Sequence, residues 1–225
     1  MKKENKIKNK EINGKKMKLN KKKIIVFLEI ITLLALITIV GIKAYNDFFK
    51  TNEKEPTNIV NEKGNISEYG YKLEDRDTEI FETYYNELEK VLTSKEIDYD
   101  KYAELLSKLF IIDLYTLKNK LTSTDIGSLD FIHPNSLDNF KLKAGDTLYK
   151  SVLSNLYNER TQVLPEVSDV NVDALNKTTF NYAGVDYEAY EVICSWSYVE
   201  DLGYDTSRTL ILIKVENKLF VVSLK

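Results

Sequence analysis

One cysteine, Cys194, and one histidine, His133, are all that the 225 residues offer of the two side chains most used in nucleophilic catalysis and zinc binding. A lone cysteine excludes an intrachain disulfide, so the fold must be stable through packing, which argues against a disulfide-stapled secreted module. The chain also lacks G-x-x-x-x-G-K, G-x-G-x-x-G and H-E-x-x-H, the spacings that cradle phosphates or hold zinc, and neither a cofactor nor a metal is expected. Asp98-Tyr99-Asp100 and the group Glu200, Asp201 and Asp205 are acidic, but they lack the spaced ligands and the glycine of a calcium loop and read as solvated turns. Arginine is scarce as well: 29 Lys stand against 3 Arg, beside 19 Asn. That bias points to an A/T-rich genome and a low-GC bacterium.

What the chain does have is a long apolar run. Ile24 to Ile42 reads IIVFLEIITLLALITIVGI, with Glu29 as its one ionisable side chain. As a helix it is roughly 28 Å long, close to the roughly 30 Å hydrocarbon core of a bilayer. Residues 1–23 before it carry 11 Lys and 2 Glu, a net +9, whereas residues 24–225 sum to -12. Only Lys43, Lys50 and Lys54 follow closely. Positive residues stay on the cytoplasmic side, so the expected topology is a single-pass membrane protein with its N-terminus inside and the rest extracytoplasmic.

The basic tail, 1–23, has no apolar period and is expected to be disordered. Its charge suits topology, and also anionic lipid or nucleic acid, although an outer part near -12 repels nucleic acid. A cleaved signal peptide is the rival of a signal-anchor; the run exceeds a usual signal core, and the site Ile42-Lys43-Ala44 is poor. Glu29 lies about 9 Å into the span. Intramembrane carboxylates are functional candidates, so Glu29 is the candidate contact to another membrane protein, against the plainer alternative of a protonated or interface-reaching side chain. No G-x-x-x-G supports a tight helix dimer, and an oligomer stays open.

Residues 43–76 show no sustained period and read as a spacer. From Asp77, read as the helix cap, Ile80, Phe81, Tyr84, Tyr85, Leu88, Val91 and Leu92 share one helical face. A second helix, Lys101 to Leu121, becomes apolar nearly all round at Leu109 to Tyr115 and so must be covered on several sides. Asp113 sits at the centre of that apolar surface. Burial there makes it either a carboxyl of raised pKa fit for acid-base work, the one weak catalytic candidate, or an acceptor for a Tyr, a Lys or backbone N–H groups that fixes the core. Gly127 to His133 alternates as a short strand, and Asp146 to Asn158 reads as a third helix sharing Leu148, Tyr149, Val152, Leu153 and Leu156, with Ser136 capping a shorter turn. Strands follow: one near Val170 and Val172, then Thr178 to Tyr182, Tyr187 to Val199 after an Ala183-Gly184 turn, Arg208 to Val215, and Leu219 to Leu224 after Glu216-Asn217-Lys218. Val192, Cys194, Trp196 and Tyr198 form the core face; Glu191, Ser195 and Ser197 form the wetter one. Cys194 inside that alternation reads as an inert core thiol, not a partner of His133.

The order helix, helix, short strand, helix, then a curved antiparallel sheet ending in FVVSL resembles the cone-shaped, cystatin-like fold of the nuclear transport factor two superfamily over residues 77–225. A cytoplasmic tail and one membrane helix in front make the layout similar to bitopic components of type IV secretion and conjugation machines. It is also similar to the membrane-proximal module of some penicillin-binding proteins, without their S-x-x-K motif. The resemblance implies an α+β cone; the membrane anchor, the spacer and the missing catalytic set point to a non-catalytic, extracytoplasmic interaction module of the cell envelope, docking other envelope proteins. The alternative is a small-ligand-binding or enzymatic cone pocket using Asp113, because this fold hosts enzymes, binding modules and scaffolds alike.

Overall fold

The computed structural model describes residues 21–49 and 56–225. Most of the basic tail, and residues 50–55 of the expected spacer, lie outside the described residues. The chain divides into two compact units, 1–54 and 55–225. In the first, helix α1 (Lys21–Phe49) carries the apolar run. Ile25–Lys43 is long and apolar enough to cross a membrane, and none of it is buried against the rest of the chain.

The second unit is α+β. Strands β1 (Glu62–Ile66) and β2 (Tyr71–Glu74) form a hairpin, followed by helices α2 (Glu79–Leu92), α3 (Tyr99–Tyr115) and α4 (Leu137–Asp146). Strands β3 (Val167–Tyr182), β4 (Val185–Tyr198), β5 (Ser207–Val215) and β6 (Lys218–Leu224) then make an antiparallel sheet in sequential order. The β1–β2 hairpin corrects the reading of 43–76 as spacer. Ile66, Tyr69, Tyr71 and Leu73 are all buried in the main core, and Gly70 makes the turn with a positive φ of 69°. The alternation of Tyr71 and Leu73 with Lys72 and Glu74 is a strand pattern too short to stand out among charged residues.

Helix α2 buries Phe81, Tyr85, Leu88 and Leu92, a stripe at helical spacing. Its cap is Thr78, whose hydroxyl accepts from Phe81 N, and not Asp77, which instead accepts the Glu74 N–H at 2.7 Å and closes the preceding turn. Asp98 caps α3 by accepting from Asp100 and Lys101 N–H groups. Helix α3 is the central element, buried from Tyr102 to Tyr115 on nearly every side. It stops at Tyr115, six residues short of the expected Leu121, because Thr116 turns extended and its hydroxyl accepts the Val167 N–H that begins β3.

Two further expectations are overturned. Gly127 to His133 is not a strand but a 3-10 turn, Leu129–Phe131, followed by a single parallel bridge from Ile132 to Val221. Side-chain bonding displaces the strand: Ser128 is left-handed at φ 65°, its hydroxyl donates to Phe110 O, and its N–H goes to Asp113. The third helix lies earlier than expected: α4 ends at Asp146, and Tyr149 and Val152 are buried from turns. Ser136 precedes α4 without making a side-chain cap.

Strand β3 is one strand of sixteen residues with two bulges, where two shorter strands were expected. Ala183 and Gly184, at φ 53° and 84°, form its tight turn into β4. Val192, Cys194 and Trp196 face the main core, as their alternation predicts. The other face is the wetter one there, with Glu191 and Ser195 half-buried and Ser197 exposed. Toward the hairpin tip it carries a second apolar cluster, with Ala189, Ile211 and Ile213 buried beneath Phe180, Tyr187 and Phe220.

Candidate functional site

Asp113 lies on α3 where the helix meets the chain returning through residues 117–131. Lys120, whose side chain is 1% exposed, places its Nζ on Asp113 Oδ1, and the Ser128 N–H occupies Oδ2. Lys120 lies seven residues after Asp113, but past the end of the helix, and it returns to the carboxylate through a turn closed by Lys120 N–H on Leu117 O at 3.1 Å. Gly127 packs directly on the same spot, its N–H donating to the Tyr149 hydroxyl at 3.0 Å while that hydroxyl donates to Leu114 O at 2.8 Å. Tyr149 therefore joins α3 to the loop. Replacing it with Phe is expected to leave a buried N–H and carbonyl unpaired and to lower unfolding free energy by about 1–3 kcal/mol in a urea titration.

Around this pair is a cavity of about 240 Å³, lined among others by Glu74, Arg76, Asp77, Asp113, Lys120, Asp125 and Asp130. Arg76 clamps Asp125 through both terminal nitrogens and donates to Glu74 through Nε at 2.7 Å. Burial works to raise the Asp125 carboxyl, but the bonds from Arg76 and the Leu121 N–H outweigh it and hold the group below the usual carboxylate range. Asp77 goes the other way. Its burial pushes the carboxyl up to about 6, against the Glu74 N–H, with the Asp113 charge adding to the rise. Burial also raises Asp130.

These opposite shifts give opposite pH dependences. Asp125 contributes stability that is present above its unfolded value and lost as pH falls through its depressed folded value. Asp77, folded at about 6 against 3.8, binds a proton more tightly when folded, so it favours the fold below that window and costs stability above it. Asp77→Asn is accordingly expected to stabilise the protein at pH 7.5 by about 1–2 kcal/mol and to change little at pH 3, below the unfolded value of 3.8, read as urea midpoints of variant against wild type.

A second, larger cavity of about 590 Å³ lies between α4 and β6, walled by Leu114, Tyr115, Phe140, Ala144 and Leu224, with Lys143, Asp205 and Arg208 among its lining. Leu114 and Tyr115 line it, but their neighbour Asp113 lines only the smaller one. The one carboxylate picked out by sequence is thus separate from this larger cavity.

The remaining candidates are accounted for by local structure. Cys194 is buried in the sheet, and burial pushes its thiol up to about 12, which keeps it protonated and unreactive. His133 stacks edge-on against Tyr182 and Phe220 and accepts the Asn135 N–H, away from Cys194. Asp98 caps α3, Asp100 pairs with Lys177 at 2.8 Å, Asp205 pairs with Arg208, and Asp201 accepts from Gly203 N–H. Among the described residues no group of three His, Cys, Asp or Glu is placed to hold a metal. Glu29 is exposed on α1, its backbone carbonyl taking the Thr32 hydroxyl at 2.9 Å.

Sequence reasoning missed Lys120, Arg76 and Asp125 as site residues, and it placed Tyr149 in the core without its hydroxyl's role. Arg76 carried a signal, being one of only three arginines; Lys120, inside a lysine-rich chain, carried none. Comparison with protein-family models, with curated proteins and with solved structures finds no match to this chain.

Proposed function

We propose that this protein is a single-pass, membrane-anchored module whose folded unit lies outside the cytoplasm and docks other proteins of a bacterial envelope complex, without catalysing a reaction. One observation carries the reading: the nineteen-residue stretch Ile25–Lys43 of α1, apolar enough to cross a membrane despite Glu29 and the terminal Lys43, is exposed along its length. A soluble protein buries such a helix; a bilayer covers it on all sides. The net +9 of residues 1–23 supports an N-terminus in the cytoplasm. Within this reading the unit is a variant of the nuclear transport factor two-like cone. Its three helices and sequential four-stranded sheet support that, and the β1–β2 hairpin is an addition to it.

The occupied state of Asp113 supports a docking module over an enzyme. Both carboxylate oxygens are already bonded, to Lys120 and to the Ser128 N–H. The test is crosslinking of the full chain in its own cell. Recovery of specific envelope proteins is expected, and monomer alone overturns the proposal. The second reading, a pocket enzyme or receptor using Asp113, is favoured by the cavity that Asp113 shares with Asp77 and Asp130. It requires that Asp113→Asn abolish function in a chain that stays folded. For the anchor itself, Glu29→Leu is expected to reduce the yield of the crosslinked complex severalfold while membrane fractionation stays unchanged, because a carboxylate in the span binds a polar partner there. Unchanged assembly reduces α1 to a tether.

A further inference from the structure

The two edges of the four-stranded sheet are managed differently. An unpaired edge invites another strand, and proteins blunt it with charges, bulges or a cover. Strand β3 has exposed Asp169, Asp173 and Lys177 and two bulges. Strand β6 is covered instead, but only in its first half. Leu219 donates its N–H to the Tyr102 hydroxyl and accepts the Tyr71 hydroxyl on its carbonyl, each at 3.2 Å. Val221 O accepts the His133 N–H at 3.3 Å, beside the parallel bridge to Ile132. Pro134 then turns the chain away from the edge in a 3-10 turn that leads into α4.

Beyond that point the edge is open. Thr209 and Lys225 exchange both N–H···O bonds at 2.9 Å, so the neighbouring pair, Leu210 and Leu224, is a non-hydrogen-bonded one, and the N–H and carbonyl of Leu224 point away from β5. Neither group is bonded among the described residues. The cavity of about 590 Å³ lies on this open stretch, for Val221, Val222, Ser223 and Leu224 all line it. A cavity over one face of a sheet touches alternate residues; four in a row place this one along the edge of the strand. Opposite are Asn139, Phe140, Lys143 and Ala144, whose spacing of three and four puts them on one face of α4. An edge strand facing a helix across a groove is a geometry in which a sheet accepts an added strand.

Charge narrows the occupant. Residues 55–225 hold 18 basic and 30 acidic side chains, a net -12. The charged residues lining the groove are Lys143, Arg208 and Asp205, and Asp205 is already paired with Arg208. Lys143 has no carboxylate partner among the described residues.

We propose that the groove between α4 and the open edge of β6 binds an extended, mainly apolar segment of a partner protein, which adds to the sheet through the N–H and carbonyl of Leu224 and sets a carboxylate against Lys143. At about 3.3 Å per residue, the open edge matches a segment of roughly four or five residues. The proposal deepens the docking reading and rests on it.

The test uses the full chain in its own cell, with photoreactive benzoylphenylalanine in place of Asn139, an exposed residue of the groove wall, or of Asp138, exposed on the opposite side of α4. Crosslinks from position 139 are expected to map to one extended stretch of one partner, and position 138 is expected to give none. Leu224→Pro removes the outward N–H and spares the ladder to β5, whereas Leu224→Ala keeps that N–H. The proline variant should lower the yield from 139 at least about threefold more than the alanine variant. Lys143→Glu, on the exposed wall, carries the test where Leu224→Pro does not fold, and should lower the yield at least about threefold. Equal losses for the two Leu224 variants in folded chains, an unchanged yield for Lys143→Glu, equal yields from 138 and 139, or crosslinks only to lipid or to a second copy of this chain overturn the strand addition. If position 139 captures nothing while chemical crosslinking of the same cells still recovers envelope proteins, the groove falls and the docking reading stands. If neither recovers a protein, both fall.

Discussion

Replacing Lys120 by methionine is expected to destabilise the folded unit by about 3 kcal/mol, at the lower end of the cost of breaking a buried ion pair. The side chain is 1% exposed, and its ammonium is bonded to Asp113, whose own side chain is 19% exposed. Removing the ammonium leaves Asp113 facing the carboxyls of Asp77 and Asp130 across a cavity of about 240 Å³, with only the Ser128 N–H to stabilise it. The partial exposure of Asp113 admits some solvent and keeps the expected loss below the full value for an isolated buried charge. Asp113→Asn should lower stability too, because it strands the more deeply buried partner, Lys120, although Asp77 and Asp125 lie near enough to compensate part of that charge. The double variant Lys120→Met with Asp113→Asn should be less destabilised than the sum of its two single variants by at least about 1 kcal/mol, since no orphaned charge remains. Urea titration of all four chains measures the coupling. Strict additivity would remove the ion pair from the account of what fixes this region. Loss of partner crosslinking by Asp113→Asn at unchanged stability would instead favour a direct functional role for the carboxylate.

Asp113 also shows what the sequence makes visible and what it hides. Its place amid Leu109, Phe110, Leu114 and Leu117 is periodic information, and periodicity survives folding because one stretch of helix presents one set of faces. The same logic makes α2, α3 and the core face of β4 legible. The partner is another matter. Lys120 reaches Asp113 only because α3 ends at Tyr115, and α3 ends there because the Thr116 hydroxyl accepts the first N–H of β3, fifty-one residues later in the chain. No local pattern carries that contact. The failed strand at 127–133 and the displaced third helix have a related cause: residues 127, 128 and 149 are held by bonds to α3, so their conformation follows tertiary partners over local propensity. The hairpin of β1 and β2 was hidden for a simpler reason, since four or five residues of alternation amid charged neighbours do not rise above the background.

Gly127→Ala is expected to cost about 3 kcal/mol or more, the upper part of the range for forced overpacking. Glycine is often required for a positive φ, but Gly127 is not among the residues with positive φ. The reason here is space. A Cβ built on Gly127 falls 2.3 Å from the backbone O of Asp113 and 2.8 Å from both its carbonyl carbon and its Oδ1. Two of those three atoms belong to the backbone of the most buried helix, so no rotamer change relieves the clash. Either α3 or the 125–131 loop must move, and movement of the loop breaks the Gly127–Tyr149 and Ser128–Asp113 bonds together. Gly145 is the matched control, because a Cβ there meets nothing within 4 Å. It lies inside α4, so Gly145→Ala should stabilise by up to about 1 kcal/mol through helix propensity. Thermal midpoints that fall steeply for Gly127→Ala and hold or rise for Gly145→Ala would establish close approach, and not backbone freedom, as what position 127 demands. Equal midpoints would mean that the seam between α3 and the loop is loose. A loose seam could not hold the carboxylate of Asp113 between Lys120 and Ser128, and the structural role of that aspartate would fall with it.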